Sequence, residues 1–157
     1  MQNHLMQSLQ DRFYLKKLTP NELGYRKGKL TTGQMFFVSK FAADFFPHLS
    51  REINNDCVTI RVKTASSDCI AYLNLVYHND KHNTSGGSRD EYRIYLNTDI
   101  APHPRVFEPH DILIFERIET DFYILNVSKP ESDGYEKLSQ KIAANKLRGN
   151  HALLDSL

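Results

Sequence analysis

The sequence predicts a mainly β fold with flanking α elements, built as a barrel or half-open barrel of about seven strands. Three observations carry this. About seven segments between residues 12 and 128 are rich in β-branched and aromatic residues and are bounded by Gly, Pro, Asn or Asp. One firm helical pattern, "KFAADFFPHL", interrupts them. The chain has 157 residues, 40% hydrophobic and 25% charged, which suits one soluble domain with a sizeable core. So many strands in so short a chain blunt their edges best by near closure.

The elements follow in order. Leu5, Met6 and Leu9 have helical spacing and predict a short N-terminal helix. "RFYLKKL" is the first strand, and "TPNELG" breaks it. "YRKGKLTTG" is a basic loop with two glycines, and "QMFFVS" is the next strand. Ser39 is placed to cap the helix; Phe41, Phe45 and Phe46 share its core-facing side, and Pro47 stops it. "CVTIRVKT" alternates Val58, Ile60 and Val62 with polar residues, a half-buried strand. "DCIAYLNLVYHN" is a longer, more completely apolar strand. A turn near Ala65-Ser66 would set Cys69 opposite roughly residue 62 rather than Cys57, so two reduced thiols are expected. A Gly-Gly loop precedes the strand "EYRIYLNT". "APHPRVFEPH" is a proline-rich connector, and "DILIFERIE" and "DFYILNVS" form a last hairpin around Thr120-Asp121. Beyond Ser128 the chain turns polar, then helical, with Tyr135, Leu138, Ile142 and Leu147 on one face.

Bulk properties remove some function classes. A net charge of +1 is not that of a non-specific nucleic-acid coat, although local clustering can still build a binding field. "MQNHLMQSLQDRF" lacks the basic end and apolar run of a signal peptide, and no stretch approaches the roughly 18 apolar residues of a membrane span. With two reduced thiols, this points to a cytoplasmic protein without a membrane partner.

Two loops stand out together. The first, Tyr25 to Gln34, carries Arg26, Lys27, Lys29, Thr31 and Thr32. The second, Lys81 to Arg93, carries His82, Asn83, Ser88, Arg89, Asp90 and Glu91. Arginine reads guanine bidentately, Asn reads adenine, a carboxylate accepts from cytosine, and Lys and Thr suit phosphates. The plain alternative is two solvated surface loops. His78 and His82 lie four apart, a metal-ligand spacing on a helix, but these residues leave a strand, so no metal is expected. His48, His103 and His110 sit by prolines or turns and are expected on the surface. There is no phosphate-binding glycine loop, G-x-S-x-G or C-x-x-C, and "DEYR" and "YEK" are poor copies of a metal-dependent nuclease centre. No catalytic residue is assigned.

The run "FYLKKLTPNELG…QMFFVSKFAADFFPHL" resembles the B3 DNA-binding superfamily. It is most similar to its bacterial branch, the N-terminal effector-binding domain of EcoRII-type restriction endonucleases. The shared features are Lys16-Lys17-Leu18, Glu22 to Gly24, Gly28 and Gly33, Phe36-Phe37 and Phe46-Pro47. "VYHNDKHNTSGGSRDEYRIYL" follows the branch's order of a tyrosine-ended strand, a Gly-, Arg- and Glu-bearing loop and an Arg-bearing strand. "EPHDILIFERIETDFYILNV" resembles its last hairpin, but His110 stands where glycine is usual, which puts that turn's geometry in question. The resemblance implies a seven-stranded pseudobarrel, with one helix after the second strand and a short helical tail. Two arms would grip the DNA major groove: residues from Tyr25 to Gln34, and Lys81, His82, Asn83, Ser88, Arg89, Asp90, Glu91 and Arg93. Gly86-Gly87 would let the second arm reach out.

It further implies a recognition domain over residues 1–128, and a linker and helical tail over 129–157 leading to a catalytic domain that this chain lacks. Mg²⁺ would belong to that separate domain, and this chain would need no cofactor. The partner would be double-stranded DNA bearing a short site, CC(A/T)GG in the type member, with the isolated domain monomeric. A free-standing transcriptional regulator or modified-base reader of the same fold is the alternative. A compact enzyme with an unrecognised centre is a third reading.

Overall fold

The computed structural model describes residues 11–26, 29–30, 35–65, 67–102, 106–145, 147 and 149–157, without the side chains of 25, 26, 29 and 30. The helix expected around Leu5 to Leu9 lies outside the described residues.

The strands are β1 (Phe13–Lys17), β2 (Tyr25–Arg26), β3 (Lys29–Leu30), β4 (Met35–Val38), β5 (Cys57–Thr64), β6 (Ile70–His78), β7 (Glu91–Tyr95), β8 (Ile112–Glu119), β9 (Phe122–Ser128) and β10 (His151–Leu154). A 3-10 helix (Lys40–Phe45) follows β4, α1 (Asp80–Asn83) follows β6, and α2 (Tyr135–Ala144) precedes β10. Eight strands form one strongly curled half-barrel sheet in the order β10-β1-β8-β9-β5-β6-β7-β4, and β2 and β3 form a separate hairpin. Every neighbouring pair in the large sheet is antiparallel except β5 with β9.

Curling is visible in contacts between strands far apart in that order. Phe36 of β4 meets Phe115 of β8 with ring centroids 5.7 Å apart. The Tyr14 hydroxyl of β1 accepts from the Ser39 backbone N–H at 3.2 Å. The inward residues of the large sheet fill one core, against which Leu153 of β10 also packs, and in it Tyr14, Phe45, Phe46, Phe115 and Tyr123 form an aromatic cluster. A smaller cluster lies outside the sheet, where Ile142 of α2 covers Leu15, Ile112 and Ala152. Coverage of both faces explains why three successive residues of β1 are buried, where alternation alone would bury every second one.

A buried polar network closes the barrel between β1 and β4. Lys16 and Glu22 pair at 3.0 Å with side chains 4% and 1% exposed. The same carboxylate accepts from the Phe37 N–H at 2.7 Å and, through its other oxygen, from the Thr19 N–H at 3.0 Å and hydroxyl at 2.8 Å. His151 of β10 adds its ring, which bonds the Tyr14 hydroxyl and stands 3.5 Å from the Lys16 ammonium.

Several expectations hold. Ser39 caps its helix by accepting from the Phe41 N–H, and Thr120-Asp121 separate β8 from β9. Others are corrected. The strand count exceeds seven because the basic loop contains the β2–β3 hairpin and the tail ends in β10, which pairs with β1. The tail is thus a helix and a strand laid on the sheet, and Leu147 leaves the helical face to pack on the main core. Phe41 is 66% exposed, because the turn after Ser39 is 3-10 and only Ala42 and Phe45 of its six residues are buried. β6 buries one face only, with Tyr72 56% exposed. Lys63 pairs with Ile70, so Cys69 falls two residues from its expected partner; it and Cys57 are free and exposed. His48 and His110 are exposed, and His103 lies outside the described residues. His110 takes a left-handed conformation, φ 74°, so histidine fills the glycine's geometric role.

Two outcomes follow. Phe45 is 1% exposed, touches the rings of Tyr14, Phe46 and Tyr123, and lies under the Arg117 guanidinium. Phe45→Ala is expected to cost about 3–5 kcal/mol in urea unfolding, and a loss below about 1 would contradict this packing. Burial first, then Lys16, holds the His151 imidazole down to about 3. The unfolded chain takes up that proton near its ordinary value of about 6.5, so between these values it binds more protons than the folded chain. Stability should therefore fall as pH falls below about 6.5, by up to about 1.4 kcal/mol per pH unit from this group. Unfolding midpoints from pH 7.5 to 5 should show a steeper decline for the native chain than for His151→Gln.

Candidate nucleic-acid interface

The two arms leave opposite ends of one sheet face. β4 begins at Met35, where the first arm ends, and β7 begins at Glu91, where the second arm ends. Because β4 and β7 are antiparallel, with Met35 opposite Tyr95 and Val38 opposite Tyr92, these beginnings lie at opposite ends of the pair. The four residue steps from Glu91 to Tyr95 separate the arm roots by about 14 Å. Between them, Phe37, Arg93 and Val76 stand side by side on β4, β7 and β6 and project outward, since Phe36, Ile94 and Leu75 point into the core.

The second arm is held compactly. Asn79, fully buried, donates to the carbonyls of Ser50 at 3.1 Å and Ile53 at 2.9 Å and accepts from the Asn55 N–H at 2.8 Å. Asn83 donates to the carbonyls of Arg51 at 2.8 Å and Asn79 at 3.1 Å. A Cβ on Gly87 would sit 2.2 Å from the Asp80 carbonyl oxygen, and Gly86 has φ 77°. The glycines therefore fold the loop back onto α1 instead of extending it. Asp90 anchors the arm's root: its carboxylate accepts from Lys40 at 2.6 Å and the Tyr77 hydroxyl at 2.6 Å, with His82 at 3.4 Å. Lys40 first, then Tyr77, holds this carboxyl down to about 2. Asp90 and Asn83 are thus engaged by the protein itself.

The arginines differ in restraint. Arg89 pairs with Asp80 at 3.2 Å and its side chain is 43% exposed. Arg93 is clamped: its Nε donates to Glu91 at 3.0 Å, an Nη joins the same oxygen, and its guanidinium lies 5.2 Å from the Phe37 ring centroid. Burial opposes its charge, but Glu91 and then Tyr95 outweigh it and raise Arg93 above its ordinary value. Tyr95 in turn meets His78 Nε2 at 2.7 Å. Burial, then the charges of Arg89 and Arg93, lowers His78. Lys81 and Ser88 are exposed on the arm.

In the first arm, Tyr25 pairs with Leu30 and Arg26 with Lys29 along the backbone. Lys27, Thr31, Thr32, Gln34 and the side chains of Tyr25, Arg26 and Lys29 lie outside the described residues. Among the described residues, no group of three His, Cys, Asp or Glu side chains could hold a metal. His78 and His82 turn to different partners, Tyr95 and Asp90. Phe37, His78 and Tyr95 went unnoticed as neighbours of Arg93 in the sequence reading. Tyr95 could have been found by counting two along the strand from Arg93, but the cross-strand partners needed the register.

No protein-family model and no curated protein matches the chain. Solved structures do. The N-terminal domain of Helicobacter pylori LlaJI.R1 superposes with TM-score 0.59 at 16% identity, covering 93% of this chain and 99% of that one. The B3 domain of UbaLAI restriction endonuclease, solved as a mutant with cognate DNA, superposes with TM-score 0.52 at 18% identity, covering 96% of this chain and 93% of that one. The chain has the B3-like fold of these restriction-endonuclease domains.

Asp90→Asn keeps the shape but weakens the bonds from Lys40 and His82. Losing charge-assisted bonds at a half-buried site should cost about 1–3 kcal/mol. Amide hydrogen exchange should accelerate across residues 79–90, and unchanged exchange there would mean that Asp90 does not anchor the arm.

Proposed function

We propose that this chain is a sequence-specific double-stranded DNA-binding module of a restriction system, the effector or recognition domain of a type II endonuclease, gripping the major groove between its two arms. The observation that carries the reading is the placement of both arms at opposite ends of a sheet face centred on Arg93. Their separation of about 14 Å is comparable with the major groove's width of about 12 Å. A structural neighbour crystallised with its cognate DNA supports the same reading.

In this reading Arg89, the less restrained arginine, takes a guanine edge. Arg93 takes a base or a phosphate, with Glu91 fixing its fork. Lys81, Ser88 and the first arm's Arg26, Lys27 and Lys29 supply phosphate contacts. The target resembles CC(A/T)GG. Cleavage belongs to a Mg²⁺-dependent domain outside this chain, reached through the tail after residue 128. The domain works as a cytoplasmic monomer and needs no cofactor of its own.

Selection from random duplexes should yield one short site, and incubation with DNA and Mg²⁺ should give no cleavage. The slope of log affinity against log salt should be steep, about 0.9 for each neutralised phosphate. Arg89→Ala should lose about 1–3 kcal/mol on the preferred site and relax discrimination at one base pair. Lys29→Ala should weaken all sequences alike and reduce the slope by about one. Competition titrations that reverse these two patterns would overturn the division of labour.

A further inference from the structure

The Tyr95 hydroxyl, on the same outward face of β7 as Arg93, meets His78 Nε2 of β6 at 2.7 Å, with the two rings edge to face at 6.0 Å.

The direction of this bond follows from the far side of the imidazole. His78 Nδ1 is buried with no hydrogen-bond partner. An orphaned buried N–H is rarer than an acceptor left with an unused lone pair. The proton therefore sits on Nε2 and is donated to Tyr95. A doubly protonated ring would strand an N–H at Nδ1 and add a third positive charge beside Arg89 and Arg93, both of which already lower His78.

With His78 donating into its oxygen, Tyr95 can use its own proton only as a donor to something else. Among the described residues no acceptor takes it. The side chain is half-buried on the face between the arm roots, opposite Met35 of β4 and Asn74 of β6. We infer that Tyr95 is a further DNA-contacting residue, a hydroxyl fixed as a donor by His78 and aimed at an acceptor oxygen of the duplex. The inference rests on the DNA-binding reading. It adds an uncharged contact on the sheet, outside both arms.

Two measurements test it. Nitrogen-15 correlation spectra of the His78 imidazole in the native chain should show the proton on Nε2. A proton on Nδ1 would overturn the fixed polarity, whatever any variant does. Tyr95→Phe should then bind the selected site about tenfold more weakly, the size of one lost hydrogen bond. Its salt slope should match the native chain, and its urea midpoint should fall only slightly, by the loss of the His78 bond. Native-level affinity would overturn the contact. A slope reduced by about 0.9 would do the same, because the effect would then run through a phosphate contact of Arg93. A native chain that selects no duplex would instead remove the DNA reading, and with it the acceptor named here.

Discussion

The Glu22 carboxylate holds the half-barrel closed. It lies in the turn after β1 and touches both that strand and β4, which stand at nearly opposite ends of the sheet order. Desolvating a carboxylate and an ammonium is expensive, and the Lys16–Glu22 attraction offsets that only if the remaining lone pairs are satisfied. Here they are, by the Phe37 N–H and by two donors from Thr19. Removing either charge would leave the other stranded. The Glu22 backbone carbonyl also accepts from the Met35 N–H at 3.0 Å, so the start of β4 is held at two levels. Everything downstream of β4 inherits this position: the 3-10 helix, its capping serine, and Phe45 and Phe46 over the core.

Much of this was legible in the sequence, for a physical reason. β5 has one wet and one dry face, and such a strand writes alternation into the chain; β8 and β9 showed instead as short apolar, β-branched and aromatic runs on either side of Thr120-Asp121. β6 has the same pattern in space but hides it, because exposed Ile70 and Tyr72 look apolar in sequence. β10 was missed because "HALL" is only four residues long and follows a helical pattern, although Gly149-Asn150 marks a turn before it; its identity comes from β1, more than a hundred residues away. Phe41 misled because a 3-10 turn has three residues per turn, and faces drawn for 3.6 rotate away from the core. Glu22 was read as part of a turn. Only the return of β4 beside it turns an ordinary T-x-x-E stretch into a clasp.

The candidate site shows the same limit. The basic character of both arms was legible, and so was the pair Arg89 and Arg93. What the sequence could not give is how far each is already engaged. Asp90, read as orienting an arginine or accepting from cytosine, has its carboxylate engaged by Lys40 and Tyr77, which converge on it from other elements. Gly86 and Gly87 looked like slack; instead Gly86 supplies a positive φ and Gly87 permits a close approach to the Asp80 carbonyl. The second arm is thus largely ordered before any partner arrives, and groups held in place lose less entropy on binding.

The place of β1 has a consequence for synthesis. β1 leaves the ribosome well before both its neighbours: β8 begins at Ile112 and β10 at His151. Hairpins such as β5–β6 can close as they appear, but β1 must wait for these distant partners with both its edges bare. Long-range pairing of this kind slows folding and leaves strand edges open to other chains. Lys16 and Lys17 near its end carry charge that discourages such pairing. The residue that will neutralise Lys16 lies only six positions on, so the clasp can begin to form while the strand is still alone.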